Sequence, residues 1–282
     1  MNERVFAAVN EALESGETVA LVTIVRAQGS TPQRVGAKML VYADGRTVGT
    51  IGGGCYEHDA FGKAREAMAS GTPRLVNYEL SDDFAEENGL ICGGQMDVYI
   101  EPLEPSPRLY IIGAGHVGQH LAGMAHETGF RVHVIDDREK FANAERFPAA
   151  AEVIVDEIAT WLSTARIPAG AYATVITRGH QHDLSALRAL LSRDLRYLGM
   201  IGSRAKVTRI YDALKAEGVA PAALARVHAP IGLDIGAVTP AEIAVSILSE
   251  MIAVRHGRIR SGSERPAAAD LAMRYMPKAL GS

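Results

Sequence analysis

Cysteine is scarce in this chain, with only Cys55 and Cys92 among 282 residues. That scarcity excludes a small secreted scaffold held together by disulfides, and in a reducing compartment both thiols are expected to be free and open to chemistry. Excess positive charge is missing too: 29 Lys and Arg face 33 Asp and Glu, for a formal net charge of -4. No broad basic surface follows from that balance, which argues against nucleic acid as the main partner. Met1-Asn-Glu-Arg4 brings in both signs of charge at once, and polar residues interrupt the stretch from Val5 to Leu13. Neither a signal peptide nor a membrane span fits, so a cytoplasmic protein without a membrane partner is expected.

What is present is ordinary globular material, 48% hydrophobic and 22% charged, long enough for two domains that each bury a core. The break falls at Glu101-Pro-Leu-Glu-Pro-Ser-Pro107, where three prolines can continue neither a helix nor a central strand. Residues 1–103 read as an α+β domain. Val5, Val9 and Leu13 share one helical face that closes at Gly16, and strands are expected over 18–26, 37–42, 46–51, 74–80 and 96–101, with a hairpin at Asp44-Gly45 and a helix over 56–68. Residues 109–256 read as a Rossmann-like, doubly wound parallel-sheet domain, giving an α/β chain, and 257–282 as a flexible tail.

Two clusters in the first domain can carry chemistry. In Gly49-Thr-Ile-Gly-Gly-Gly-Cys55, the glycines Gly52, Gly53 and Gly54 leave backbone N–H groups uncovered and permit φ > 0, so the run can hold an oxyanion beside the Cys55 thiol. A tight strand-to-helix turn followed by a buried cysteine reads equally well. In the loop from Gln28 to Lys38, Ser30 and Thr31 offer hydroxyls, Arg34 a bidentate fork and Lys38 a point charge for an anionic ligand. With Cys92-Gly-Gly94, these runs lie at strand ends of one small domain and make a pocket plausible.

The second domain opens on an apolar strand running into Gly113-Ala-Gly-His-Val-Gly118, which places Gly113, Gly115 and Gly118 at dinucleotide-fingerprint spacing, with His116 at the helix start. A second strand ends at Asp136, near where that fingerprint expects an acidic residue for a ribose hydroxyl. NAD(P) or another nucleotide is therefore open at this domain, as is use of the fold as a scaffold alone. Later strand ends carry Arg178-Gly-His180 and Gly199-Met-Ile-Gly-Ser-Arg204, making His180, Ser203 and Arg204 ligand-contact candidates. His180, His182 and Asp183 lack a third suitably spaced histidine, so contact or capping is favoured over zinc. Thr239, Pro240 and Glu242 form the capping signal of a last long helix.

Together these motifs, with Gly29-Ser-Thr-Pro32, Gly36-Ala-Lys-Met39, Asp136-Asp-Arg138 and Ile231-Gly-Leu-Asp-Ile-Gly236, occur in an order that resembles the XdhC and CoxI family, accessory proteins of xanthine dehydrogenase and other molybdenum hydroxylases. The family more often shows Arg directly after the proline, where this chain has Gln33 and then Arg34. The resemblance implies a non-catalytic carrier that binds the molybdenum cofactor (molybdopterin) and protects it while sulfide replaces an oxo ligand. It then hands the cofactor to apo-xanthine dehydrogenase or a related hydroxylase. A cysteine desulfurase as sulfur donor and a homodimer are implied as well. Within that implication Gly52 to Gly54 hold the anion, Cys55 approaches the molybdenum or its exchangeable sulfur, Cys92 is a second thiol, and Arg34 and Lys38 balance charge. The rival expectation is an NAD(P)-dependent oxidoreductase that uses Gly113 to Gly118 and Asp136 for cofactor and Cys55 or His180 for proton chemistry.

Overall fold

A computed structural model of the chain describes residues 2–80 and 94–259. The chain splits into two compact units, Met1–Ser106 and Pro107–Ser282. Cys92 and residues 260–282 lie outside the described residues, and with them most of the expected tail.

In the first unit an antiparallel sheet of order β3-β2-β1-β5-β4 is built from β1 (Val19–Gln28), β2 (Lys38–Tyr42), β3 (Thr47–Gly49), β4 (Arg74–Leu80) and β5 (Gly94–Leu103). Its strands alternate between two apolar sets, because successive side chains point to opposite faces. Val19, Leu40 and Tyr42 pack with Val5, Val9 and Ala12 of helix α1 (Asn2–Ser15). Ala20, Val22, Ile24, Met39 and Val41 pack instead with Ala60, Ala64 and Ala67 of α2 (Gly54–Ser70). Those three alanines recur at helical spacing and let α2 lie close against the sheet. Several boundaries differ from the sequence expectation. Strand β5 runs from Gly94 to Leu103 rather than over 96–101, so Pro102 does continue an interior strand, paired with Ala20 of β1 beyond the end of the β4 ladder. The third strand stops at Gly49, whose φ of +85° turns the chain out of the sheet. Helix α2 begins at Gly54, two residues early, which places Cys55 in its first turn.

The second unit holds a parallel sheet of order β10-β9-β6-β7-β8. Its elements are β6 (Arg108–Ile112), α3 (His116–Glu127), β7 (Arg131–Asp136), β8 (Glu152–Val155), α4 (Ile158–Thr164), β9 (Ala171–Val175), α5 (His180–Leu191), β10 (Leu195–Met200), α6 (Arg204–Ala216), α7 (Pro221–Ala225) and α8 (Pro240–Arg255). Leu109 and Ile111 face α3 and α8, whereas Tyr110 and Ile112 face α4, α5 and α6. Both faces of the sheet are thus covered, as the near-continuous apolar strands require. The winding reverses between β6 and β9, which puts a topological switch point beside the glycine loop that follows β6. The fold continues past residue 256, since Ile259 is buried in the core shared by α3 and α8.

Candidate functional site

In the first unit glycine geometry draws the expected loops together. A Cβ at Gly52 would stand 2.3 Å from the Cβ of Pro32, and one at Gly94 would stand 2.5 Å from the Ser30 carbonyl oxygen and 2.6 Å from that of Gln28. Only side-chain-free residues allow such approach, so the loop at 28–32 is held against both the 52–54 run and the start of β5. Gly52, Gly53 and Gly54 take φ of +129°, +77° and +71°, values that L side chains rarely adopt.

The donors of that glycine run already have an acceptor in the chain itself. Glu57, one turn into α2, lays Oε2 back across the loop and accepts from the Thr50 hydroxyl at 2.5 Å, the Ile51 N–H at 2.9 Å and the Gly53 N–H at 3.1 Å. The Gly52 N–H donates to Thr50 Oγ1 at 3.0 Å. Partial burial pushes the Glu57 carboxyl up, but the Thr50 hydroxyl and the loop N–H groups outweigh it and hold the group below the usual carboxylate range. At Gly53 the acceptor for the expected oxyanion position is thus a carboxylate of the protein. Sequence reasoning passed over Glu57; its signal was an acidic residue in the first turn after a glycine run, where helix N-termini favour negative charge.

Other candidates in this unit divide by face. Lys38 sends its ammonium to the α1 side of the sheet, donating to Thr23 Oγ1 at 3.0 Å and lying 5.8 Å from the Phe6 ring centroid. It shares that face with Leu40 and points away from α2. Thr31 spends its hydroxyl on the Gln33 carbonyl at 2.9 Å. Ser30 and Arg34 are exposed, and Arg34 makes no ion pair among the described residues. Cys55 is a free, half-buried thiol. Beside it an open cleft of about 290 Å³ runs between the β2–β3 hairpin and α2, lined by Met39, Thr47, Gly54, Glu57, His58 and Phe61 among others.

In the second unit the fingerprint glycines do what their spacing predicts. A Cβ at Gly113 would stand 2.4 Å from the Ile176 carbonyl oxygen, and one at Gly118 2.4 Å from that of Gly113, while Gly115 faces open space. The loops after β6 and β9 consequently abut. Asp136, by contrast, is 2% exposed and fully engaged: Oδ2 accepts from the Ala114 N–H at 2.8 Å and Arg138 Nη2 at 3.0 Å, while Oδ1 accepts from Arg138 Nε at 2.8 Å and its N–H at 3.1 Å. Burial raises its carboxyl, and the Arg138 guanidinium and the Ala114 N–H more than reverse that. Arg146 fixes the opposite side of the loop, donating to the Ala114 carbonyl at 2.9 Å and to Gln119 Oε1 at 2.8 Å. An acidic residue so occupied has no acceptor left for a ribose diol, so the residues present do not fit NAD(P) held through Asp136.

The remaining strand-end candidates divide between exposed helix starts and a capping residue. His116, His180 and Arg204 are exposed first residues of α3, α5 and α6. Ser203 caps α6 by accepting from the Lys206 N–H at 3.3 Å. Buried Asp183 pairs with Lys206 and accepts from the Thr177 hydroxyl at 2.6 Å, and Arg178 pairs with Asp137 at 2.6 Å. Among the described residues no three His, Cys, Asp or Glu side chains gather as a metal site. The 231–236 motif also has a packing role. A Cβ at Gly232 would stand 2.4 Å from Ser246 Oγ, and its N–H donates at 2.9 Å to buried Glu250, which also accepts from the Tyr197 hydroxyl at 2.6 Å and faces His228 Nδ1 at 3.2 Å.

Profiles of known families match both units: the XdhC Rossmann domain over residues 109–251, and the XdhC and CoxI family over residues 12–79. The chain belongs to the XdhC and CoxI family. YqeB of Escherichia coli (strain K12) is 37% identical over 238 residues, covering 84% of this chain but only 43% of YqeB, so the chain spans less than half of that relative. A Bacillus subtilis (strain 168) protein named as a probable xanthine dehydrogenase subunit is 27% identical, over 86% of this chain and 95% of its own length. PaoD of Escherichia coli (strain K12), named a molybdenum cofactor insertion chaperone, is 26% identical over 87% of this chain and 86% of its own. A crystal structure described as a xanthine dehydrogenase from Bacillus halodurans superposes with a TM-score of 0.51 at 26% identity, covering 91% of this chain and 97% of that one. Within the XdhC and CoxI family profile lie Gly29 to Pro32, the 49–55 run and Glu57, the residues that build the first unit's site.

Proposed function

We propose that this XdhC-family chain is a molybdenum-cofactor accessory protein, a carrier rather than a catalyst. It holds the cofactor while sulfide replaces an oxo ligand and then passes it to apo-xanthine dehydrogenase or a related molybdenum hydroxylase. The observation that carries this reading is the convergence in the first unit: the 28–32 loop is held against Gly52 and Gly94, at the start of the helix whose first turn bears Cys55. The name of PaoD, aligned over 87% of this chain, supports it.

The cargo carries a phosphate and a molybdenum bound by oxygen and sulfur. Exposed Ser30 and Arg34 are suited to the phosphate, and Cys55, in the first turn of the helix that follows the glycine run abutting Pro32, is the soft group. Because the Gly53 N–H already donates to Glu57 and the Gly52 N–H to Thr50, the phosphate is assigned to the 28–34 loop rather than to Gly52 to Gly54. Delivery requires release, so Cys55 makes a transient contact with the molybdenum or its exchangeable sulfur, with Cys92 as second thiol. Sulfur from a cysteine desulfurase, a homodimer and a cytoplasmic setting complete the proposal.

The test is copurification. Made in cells that synthesise the cofactor, the wild-type protein is expected to carry molybdenum and pterin. Cys55→Ala lowers the content at least about tenfold, the scale of losing a contact close to a metal. Gly115→Ala, which adds a Cβ in open space, leaves it unchanged, and NAD or NADP gives no binding signal. Wild-type protein free of both molybdenum and pterin would overturn the reading.

A further inference from the structure

The cleft beside α2 offers a chemistry that the phosphate and thiol contacts do not use. Gly54, Glu57, His58 and Phe61 follow one another at helical spacing along the stripe of α2 that lines it, and Met39 of β2 and Thr47 of β3 stand across from them. Glu57 is fixed chiefly through one oxygen. Its hydrogen bonds from Thr50, Ile51 and Gly53 all meet Oε2, the Gly52 N–H lends the carboxylate a further contact, and among the described residues no hydrogen bond at Oε1 competes with a ligand. This carboxylate is held rigid, is ionised at neutral pH, and stands next to an imidazole and a phenyl ring. The volume, about 290 Å³, sits at the lower limit of small-molecule pockets and suits one bicyclic ring rather than a dinucleotide.

We propose that this cleft binds the 2-amino-4-oxopyrimidine edge of a pterin, with Glu57 Oε1 accepting from the amino group and adjacent ring N–H, His58 donating to the oxo group, and Phe61 and Met39 packing on the ring faces. The proposal rests on the carrier reading and assigns the organic part of the cargo to residues outside the 28–34 loop and Cys55. That edge presents one acceptor, the oxo group, beside two adjacent donors, the ring N–H and the amino group, which matches an imidazole donor beside a carboxylate. Guanine presents the same edge, so a guanine nucleotide is the other source of this chemistry.

The experiment is fluorescence titration of the full-length protein with 6-hydroxymethylpterin, with lumazine, in which an oxo group replaces the amino group, and with GMP as competitor. Pterin is expected to bind at least about tenfold more tightly than lumazine, the scale of a hydrogen bond to a charged acceptor, and GMP to compete weakly or not at all. Glu57→Gln keeps a carbonyl for the loop donors but turns an amide NH2 toward the ligand. It is expected to abolish the preference for pterin while the protein still folds with a lowered melting temperature, since the neutral amide is a weaker acceptor for the loop donors than the carboxylate. Thr47→Trp, which fills the cleft without touching the Glu57 network, blocks pterin if Glu57→Gln fails to fold. Equal binding of pterin and lumazine, a pterin affinity indifferent to both substitutions, or tighter binding of GMP than of pterin would each overturn the proposal. The carrier reading fails separately: cofactor-free protein that still binds pterin through Glu57 sinks the carrier and leaves the cleft, whereas copurified cofactor without Glu57-dependent pterin binding does the reverse.

Discussion

Glu57 decides how the first unit's glycine run is to be read. Three consecutive glycines preceding a helix suggest an oxyanion site, and the backbone does adopt the required conformation, but the acceptor comes from the protein four residues after Gly53. The carboxyl is held below its ordinary range by the Thr50 hydroxyl and the loop N–H groups against the opposing effect of burial. A group with a depressed folded pKa contributes stability that is present above its unfolded value, about 4.3, and is lost as pH falls through the folded value. Glu57→Ala is therefore expected to cost about 1–2 kcal/mol at pH 7, where it leaves three donors without their acceptor in a partly solvated site. Urea unfolding of both proteins from pH 7 to pH 3 checks this: the gap should be constant down to about pH 5 and narrow below. A gap that widens on acidification would show that the carboxylate is not the stabilising form.

At the scale of elements, what the sequence made legible was local. The capping signal at Thr239 is present in full: its hydroxyl accepts from the Glu242 N–H at 3.3 Å while Glu242 accepts from the Val238 and Thr239 N–H groups, each at 2.8 Å. Thr239→Ala is expected to cost about 1 kcal/mol, read as a lowered urea midpoint at constant slope. The glycine fingerprint was legible for the same reason, since tight turns need glycine wherever the chain is folded. What failed depended on hydrogen-bond partners that spacing alone does not reveal. Asp136 stands at the ribose-binding position by spacing, yet Arg138 and the Ala114 N–H claim it first. The third strand is shorter than its β-rich run because the positive φ of Gly49 ends its pairing with β2, a turn that the run of β-formers through Ile51 obscured. Lys38 was within reach of the sequence: alternation with core residue Met39 already put it on the opposite face with Leu40.

For the whole molecule, the question is which pieces can stand alone. Among the described residues each sheet lies within its own unit, with five strands in each, and β5 ends at Leu103 while β6 begins at Arg108, so residues 104–107 belong to neither ladder. Residues 107–282 and 1–106 are therefore each expected to fold when made separately, with pterin binding confined to the second of these fragments. The α/β fragment adds a sharper requirement. Parallel strands are joined only by crossovers, and here the face bearing Leu109 and Ile111 is closed by α3 together with α8, the last described helix, through Ala244, Ile247 and Met251. Loss of α8 would expose that face and strip Glu250 from Tyr197 and Gly232. The fragment 107–282 should melt in one cooperative transition by circular dichroism, while 107–239 should lose it and bind hydrophobic dye. A cooperative 107–239 fragment would mean that α8 is an appendage and not a structural part of the sheet's cover.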